Sequence, residues 1–175
     1  MFDHPAYLVL ELPKSISARV LDIRRRYDPH LAAFPTEITV AGSSGIGTIA
    51  PDQDPRVVYQ ALSQVASGHL PISSRFIGIS RFATGPVVWL QPANPDPFVA
   101  IQQALVATGI HFNTHKFSYT PHCSLSSCNL APSVIQALLR EEFPQESFDL
   151  SVLALYEVVE GQASLIKRFY PGLQA

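Results

Sequence analysis

Two short stretches set a titratable side chain two positions before a hydroxyl. One is Pro35-Thr36-Glu37-Ile38-Thr39 and the other is Pro121-His122-Cys123-Ser124. In a β-strand, residues i and i+2 project from the same face. Glu37 would then share a face with Thr39, and His122 with Ser124, while Ile38 and Cys123 turn into a core. An imidazole beside a hydroxyl can move a proton and hold a phosphate oxygen. A second pair on a facing strand would supply the complementary acid or base. Glu37 and His122 lie 85 positions apart in a chain of 175 residues, close to half its length. A duplicated α+β unit, with its two triplets facing each other, would produce that spacing. Taken alone, His-x-Ser in a half-buried strand is more often structural than chemical.

The elements that must position these residues are legible as short apolar runs between sharp stops. Tyr7 to Leu12 reads as a buried strand. Ser15 or Ser17 can cap a helix in which Ile16, Val20 and Ile23 recur, with Arg24 to Arg26 suiting its C-terminal dipole and Asp28-Pro29 stopping it. Glu37 to Ala41 is a strand leading into the glycine-rich turn Gly42 to Gly47. Asp54-Pro55 opens a helix with an acidic cap and a proline in its first turn, ended by Gly68, and Asp96-Pro97 opens another, closed by Gly109. Arg75 to Phe82 and Val87 to Leu90 form a hairpin around Thr84-Gly85-Pro86. Phe117 to Ser126 is a strand, Pro132 starts a helix that stops by Pro144, and Phe148 to Val159 pairs with Ala163 to Phe169 around Glu160-Gly161.

Composition narrows the classes. Hydrophobic residues make up 47% of the chain and charged ones 15%, against roughly 25% charged in an average domain, which excludes intrinsic disorder. A formal net charge of −2 and a pI near 6.3 argue against a broad basic face for duplex DNA, but leave room for a compact anion pocket. No apolar run approaches the roughly 20 residues of a membrane span. The N-terminal Met1-Phe2-Asp3-His4-Pro5 does not read as a signal peptide, and the two cysteines, Cys123 and Cys128, suit a reduced, cytoplasmic protein.

The segment Tyr119-Thr120-Pro121-His122-Cys123-Ser124-Leu125 resembles the second signature of the two-histidine (2H) phosphoesterase superfamily, the 2'-5' RNA ligase and cyclic phosphodiesterase-like proteins. The resemblance extends over most of the chain. Tyr7 to Pro13 is similar to the opening strand, Phe34-Pro35 to the approach to the first signature, Arg75 to Trp89 to the central hairpin, and Lys116 to a basic position before the second signature. It implies an α+β fold of two similar lobes of antiparallel sheet backed by helices, with a cleft between them, spanning 1–175 as one domain. It also implies that His122 acts on a phosphodiester while Ser124 and Thr39 hold its oxygens. The scheme requires no metal and no cofactor.

The first signature departs from the family. Where the family has His-x-Thr/Ser, this chain has Glu37 with Thr39 retained. A carboxylate can be a general base, and Glu37 with His122 as acid is a workable pair. An ionised Glu also repels a phosphate, and a desolvated one has a raised pKa. The expected function is therefore hydrolysis of a small phosphodiester, such as a nucleoside 2',3'-cyclic phosphate or an RNA end, with altered or weakened activity. The alternative is a catalytically inactive nucleotide- or RNA-binding module on the same fold.

Other candidates read as structural. Gly42 to Gly47 lacks the spacing and following helix of a dinucleotide turn and is expected to be a flexible loop at the cleft rim. His111 and His115 are expected to be exposed loop residues, Arg24-Arg25-Arg26 a solvated helix end, and Cys123 a packed thiol.

Overall fold

The computed structural model describes residues 2–172. In chain order the elements are β1 (Ala6–Glu11), α1 (Lys14–Tyr27), β2 (Glu37–Ala41), β3 (Thr48–Ile49), α2 (Pro55–His69), β4 (Ile72–Ser74), β5 (Phe76–Arg81), β6 (Val88–Pro92), α3 (Asp96–Val106), β7 (Phe112–Asn113), β8 (Cys123–Ser126), α4 (Pro132–Leu138), β9 (Phe148–Leu150), β10 (Leu153–Val159) and β11 (Gln162–Phe169). The class is α+β, as expected. All strand pairs are antiparallel.

The strands form unequal sheets. The largest runs β11-β10-β1-β3-β7, with β2 also paired to β1; β5-β6-β8 form a second sheet, and β4-β9 a small third. The inequality arises because the C-terminal hairpin β10–β11 joins the first sheet alongside β1. One continuous apolar core joins the two main sheets and the helices. It includes Leu8 and Leu10 of β1, Ile16 and Val20 of α1, Ile38 of β2, Leu62 of α2, Leu90 of β6, Phe98 of α3 and Leu125 of β8.

Local chemistry fixes the ends of several elements. The Asp54 carboxylate accepts the Arg56 N–H at 2.9 Å and starts α2, as the sequence indicates. α1 has no side-chain cap; it begins after Pro13 rather than on Ser15 or Ser17. The turn between β10 and β11 has positive φ at both Glu160 and Gly161, the geometry of a two-residue hairpin loop. Two expected strands are shorter. Of Phe117 to Ser126 only Cys123–Ser126 pairs, because Pro121 cannot donate to a ladder. Phe148 to Val159 breaks at Ser151-Val152, where the chain passes from β9, paired to β4, to β10, paired to β1.

Candidate active site

β8 positions the histidine. Its register on β6 places Cys123 opposite Leu90 and Ser124 opposite Trp89. Cys123 and Leu125 are fully buried, whereas His122 and Ser124 are part-exposed on the other face, as the i, i+2 rule requires. The His122 ring packs edge-on against Phe82 at 5.1 Å and Trp89 at 5.8 Å, and those two rings stack on each other at 5.1 Å. Burial in this aromatic box lowers the imidazole pKa, opposed by the Thr120 carbonyl 2.7 Å from Nδ1. A carbonyl only accepts, so the neutral ring carries its proton on Nδ1 and leaves Nε2 as a proton acceptor.

β2 positions the carboxyl. Val9 faces Thr39 and Glu11 faces Glu37 across β1–β2, while Tyr7 faces Tyr156 and Val9 faces Ala154 across β1–β10. Val9, Ala154 and Tyr156, flanked by Tyr7, form an apolar cluster separate from the main core. Glu37, Thr39 and Glu11 share the sheet face that carries it. The Thr39 hydroxyl donates to Glu37 Oε1 at 3.0 Å. Glu37 Oε2 is buried without a hydrogen-bond partner among the described residues, although the residue as a whole is only part-buried. Burial pushes this carboxyl up to about 7; the Arg24 charge and the Thr39 hydroxyl pull it down, and Glu11 adds to the rise.

Arg24 ties the two signatures together. It is 1% exposed. Its Nε donates to the Ser124 carbonyl at 2.9 Å, and its Nη1 to the Pro35 carbonyl at 2.9 Å, with weaker contacts to Phe34 and Leu31. The Glu37 backbone N–H in turn donates to the Cys123 sulfur. This corrects the expectation of a solvated helix end: Arg25 and Arg26 are exposed, but Arg24 is not. The sequence carries a signal for it, since Arg24 lies four residues after Val20 and eight after Ile16, on the buried stripe of α1. Cys123 is the packed thiol expected, its pKa raised by burial.

The structure adds residues that sequence reasoning misses. Glu11 is held by the Tyr156 hydroxyl and by Arg168 Nε at 2.8 Å, beside Glu37. No local pattern announces them, because they meet through strand register. The Gly42–Gly47 turn is also not the loose rim expected. Gly45 N–H donates to the Phe117 carbonyl at 2.8 Å, and the Gly45 carbonyl accepts the His115 N–H at 3.3 Å. A Cβ at Gly47, where φ is +84°, would fall 1.7 Å from the Asn113 carbonyl oxygen. The Tyr119 hydroxyl donates to the Thr39 carbonyl at 3.1 Å, joining the run before His122 to β2. His111 and His115 are exposed loop residues, as expected.

Comparison with known proteins settles the family. The sequence model described as the 2'-5' RNA ligase superfamily matches residues 12–162. The chain belongs to the 2'-5' RNA ligase superfamily. No curated protein matches it in sequence. Among solved structures, E. coli LigT complexed with 3'-AMP is similar over 97% of this chain and 98% of its own, at 15% identity and a TM-score of 0.60. The Thermus thermophilus protein TT0787 is similar over 95% of this chain and 97% of its own, at 14% identity and a TM-score of 0.65. A structure described as a phosphoesterase gives 15% identity, 96% and 98% coverage and a TM-score of 0.61. At these identities the likeness establishes the fold, that of the 2H phosphoesterases.

Proposed function

We propose that this superfamily member hydrolyses a small phosphodiester, a nucleoside 2',3'-cyclic phosphate or the cyclic phosphate of an RNA end, in one cleft formed by its two main sheets. What supports the reading is that Arg24 holds together the segments that carry His122, with Nε2 left as acceptor, and Glu37, with a carboxyl raised to about 7. Complexes of LigT with 3'-AMP, NADP+ and ATP support a nucleotide as ligand.

The protonation order inverts the roles expected from sequence. Near neutral pH His122 is neutral and a large share of Glu37 is protonated. His122 Nε2 takes a proton from water as its oxygen attacks phosphorus. The P–O bond to one ribose oxygen breaks, and the Glu37 carboxyl gives that oxygen its proton. Ser124 holds a non-bridging oxygen, Thr39 holds another once its hydroxyl turns from Glu37 to the phosphate, and a protonated Glu37 does not repel the substrate. The product is a phosphomonoester bearing a free neighbouring hydroxyl.

The test is ring opening of a 2',3'-cyclic nucleotide, followed by phosphorus NMR, with wild type, His122→Ala and Glu37→His. The reading expects turnover by wild type and its loss in His122→Ala. No turnover by wild type, with activity appearing in Glu37→His, would instead establish the alternative, a nucleotide- or RNA-binding module that lost its first catalytic group.

A further inference from the structure

Tyr7 and Tyr156 stand opposite each other on β1 and β10, their rings stacked with centroids 5.7 Å apart. The Tyr156 hydroxyl is spent on Glu11, at 2.5 Å. The Tyr7 hydroxyl has no hydrogen-bond partner among the described residues. Tyr7, Val9 and Glu11 alternate onto one face of β1, and across β1–β2 that face continues into Thr39 and Glu37. Gly42 fixes how close Tyr7 and Thr39 come. A Cβ there would meet Thr39 Cγ2 at 2.8 Å and Tyr7 Cβ at 3.8 Å, so the two side chains flank a glycine that has no side chain to part them. Tyr7 is half-buried. Burial, and after it the nearby Glu37 carboxyl, push its pKa up, so the hydroxyl keeps its proton and acts as a donor.

A phenylalanine would stack on Tyr156 equally well. The Tyr7 hydroxyl adds a donor that no protein group takes up, on the face that carries Glu37 and Thr39. We propose that the Tyr7 O–H donates to a non-bridging oxygen of the phosphodiester, as a third donor beside Ser124 and Thr39, and is a further catalytic residue of this site. This rests on the phosphodiesterase reading. Thr39 gives up its bond to Glu37 to reach the phosphate, whereas Tyr7 gives up none. The ring stack sets the place of the Tyr7 hydroxyl before substrate arrives, which is the condition under which a donor stabilises charge developing on a phosphoryl oxygen.

The experiment uses Tyr7→Phe, which keeps the ring and its stack and removes only the hydroxyl. On a nucleoside 2',3'-cyclic phosphate its kcat/KM should fall roughly 10- to 150-fold, the worth of one hydrogen bond to a charged oxygen. Tyr170→Phe, which removes an exposed hydroxyl elsewhere, should leave the rate unchanged. The two diastereomers of the cyclic phosphorothioate then separate contact from structure. Sulfur is a weak hydrogen-bond acceptor, so wild type should be slower on the diastereomer whose sulfur faces Tyr7, and that discrimination should shrink in Tyr7→Phe. A merely structural loss would slow both diastereomers alike. In parallel, binding of inorganic phosphate is measured by calorimetry for wild type and Tyr7→Phe, and should be weaker in the variant. Wild-type hydrolysis with the same rate and the same discrimination in Tyr7→Phe overturns the role of Tyr7 and leaves the enzyme reading intact. Absence of hydrolysis by wild type, with phosphate binding that depends on Tyr7, overturns the enzyme reading and keeps the donor. Absence of hydrolysis with equal phosphate binding overturns both.

Discussion

Glu11 and Glu37 stand directly opposite each other on β1 and β2. Like charges in that position destabilise a sheet. The pair is reconciled by unequal environments: Glu11 has the Arg168 guanidinium and the Tyr156 hydroxyl, while Glu37 has a single hydroxyl and a buried, unpartnered oxygen. Glu37 therefore keeps its proton well above the ordinary carboxylate range.

This has a consequence for stability. The Glu37 pKa rises from an ordinary 4.5 to about 7 on folding, so between those values the folded chain holds more proton than the unfolded one. Stability is then lost as pH rises through that window. Glu37→Gln removes the titration. In urea unfolding, the variant should gain on wild type as pH rises from 4.5 to 7, by about 1–3 kcal/mol, with a constant gap above. A gap independent of pH would contradict the raised carboxyl.

Arg24 should matter to both signatures at once. Arg24→Met leaves the Pro35 and Ser124 carbonyls without their donor and should cost about 2–4 kcal/mol. Arg24→Lys keeps the charge but cannot span both carbonyls. It should fold better than the Met variant and still lower kcat. Loss of the charge in Arg24→Met also lets the Glu37 carboxyl rise, moving the alkaline limb of the rate profile to higher pH. An unmoved limb in a folded variant would show that Arg24 does not act on Glu37.

How far the sequence reaches is visible in these residues. The alternation Glu37-Ile38-Thr39 and His122-Cys123-Ser124 is a two-residue property, and it places both pairs correctly on their part-exposed faces. Asp54-Pro55 and the Glu160-Gly161 turn are equally local. Arg24 is hidden because a run of three arginines suggests a solvated face, and the carbonyls that bury it are 11 and 100 positions away. Glu11, Tyr156 and Arg168 meet only through register between β1, β10 and β11. The break between β9 and β10 reflects a choice of sheet partner that Phe148 to Val159, as a string, does not encode.

The aromatic box around His122 should set the acid limb. Phe82→Ala admits water to the imidazole, so its pKa should climb toward the ordinary 6.5. His122 must be neutral to act as base, and the variant should lose activity below about pH 6.5 while keeping more of it at about pH 7.5. Proton NMR of the His122 ring gives the same pKa directly. A ring that titrates at the same pH in both proteins would rule out the box as the cause.

The central claim is that Glu37 gives the proton and His122 takes one. Two substrates separate the roles: a nucleoside 2',3'-cyclic phosphate, whose ribose leaving oxygen needs a proton, and a nucleoside 3'-(4-nitrophenyl phosphate), whose leaving group does not. Rates are measured for wild type, Glu37→Gln and His122→Ala. His122→Ala should lose roughly 10²–10⁴ in rate on both. Glu37→Gln should lose as much on the cyclic phosphate and remain within about tenfold of wild type on the nitrophenyl ester. If both variants match wild type on the cyclic phosphate, neither residue carries the chemistry and the account fails.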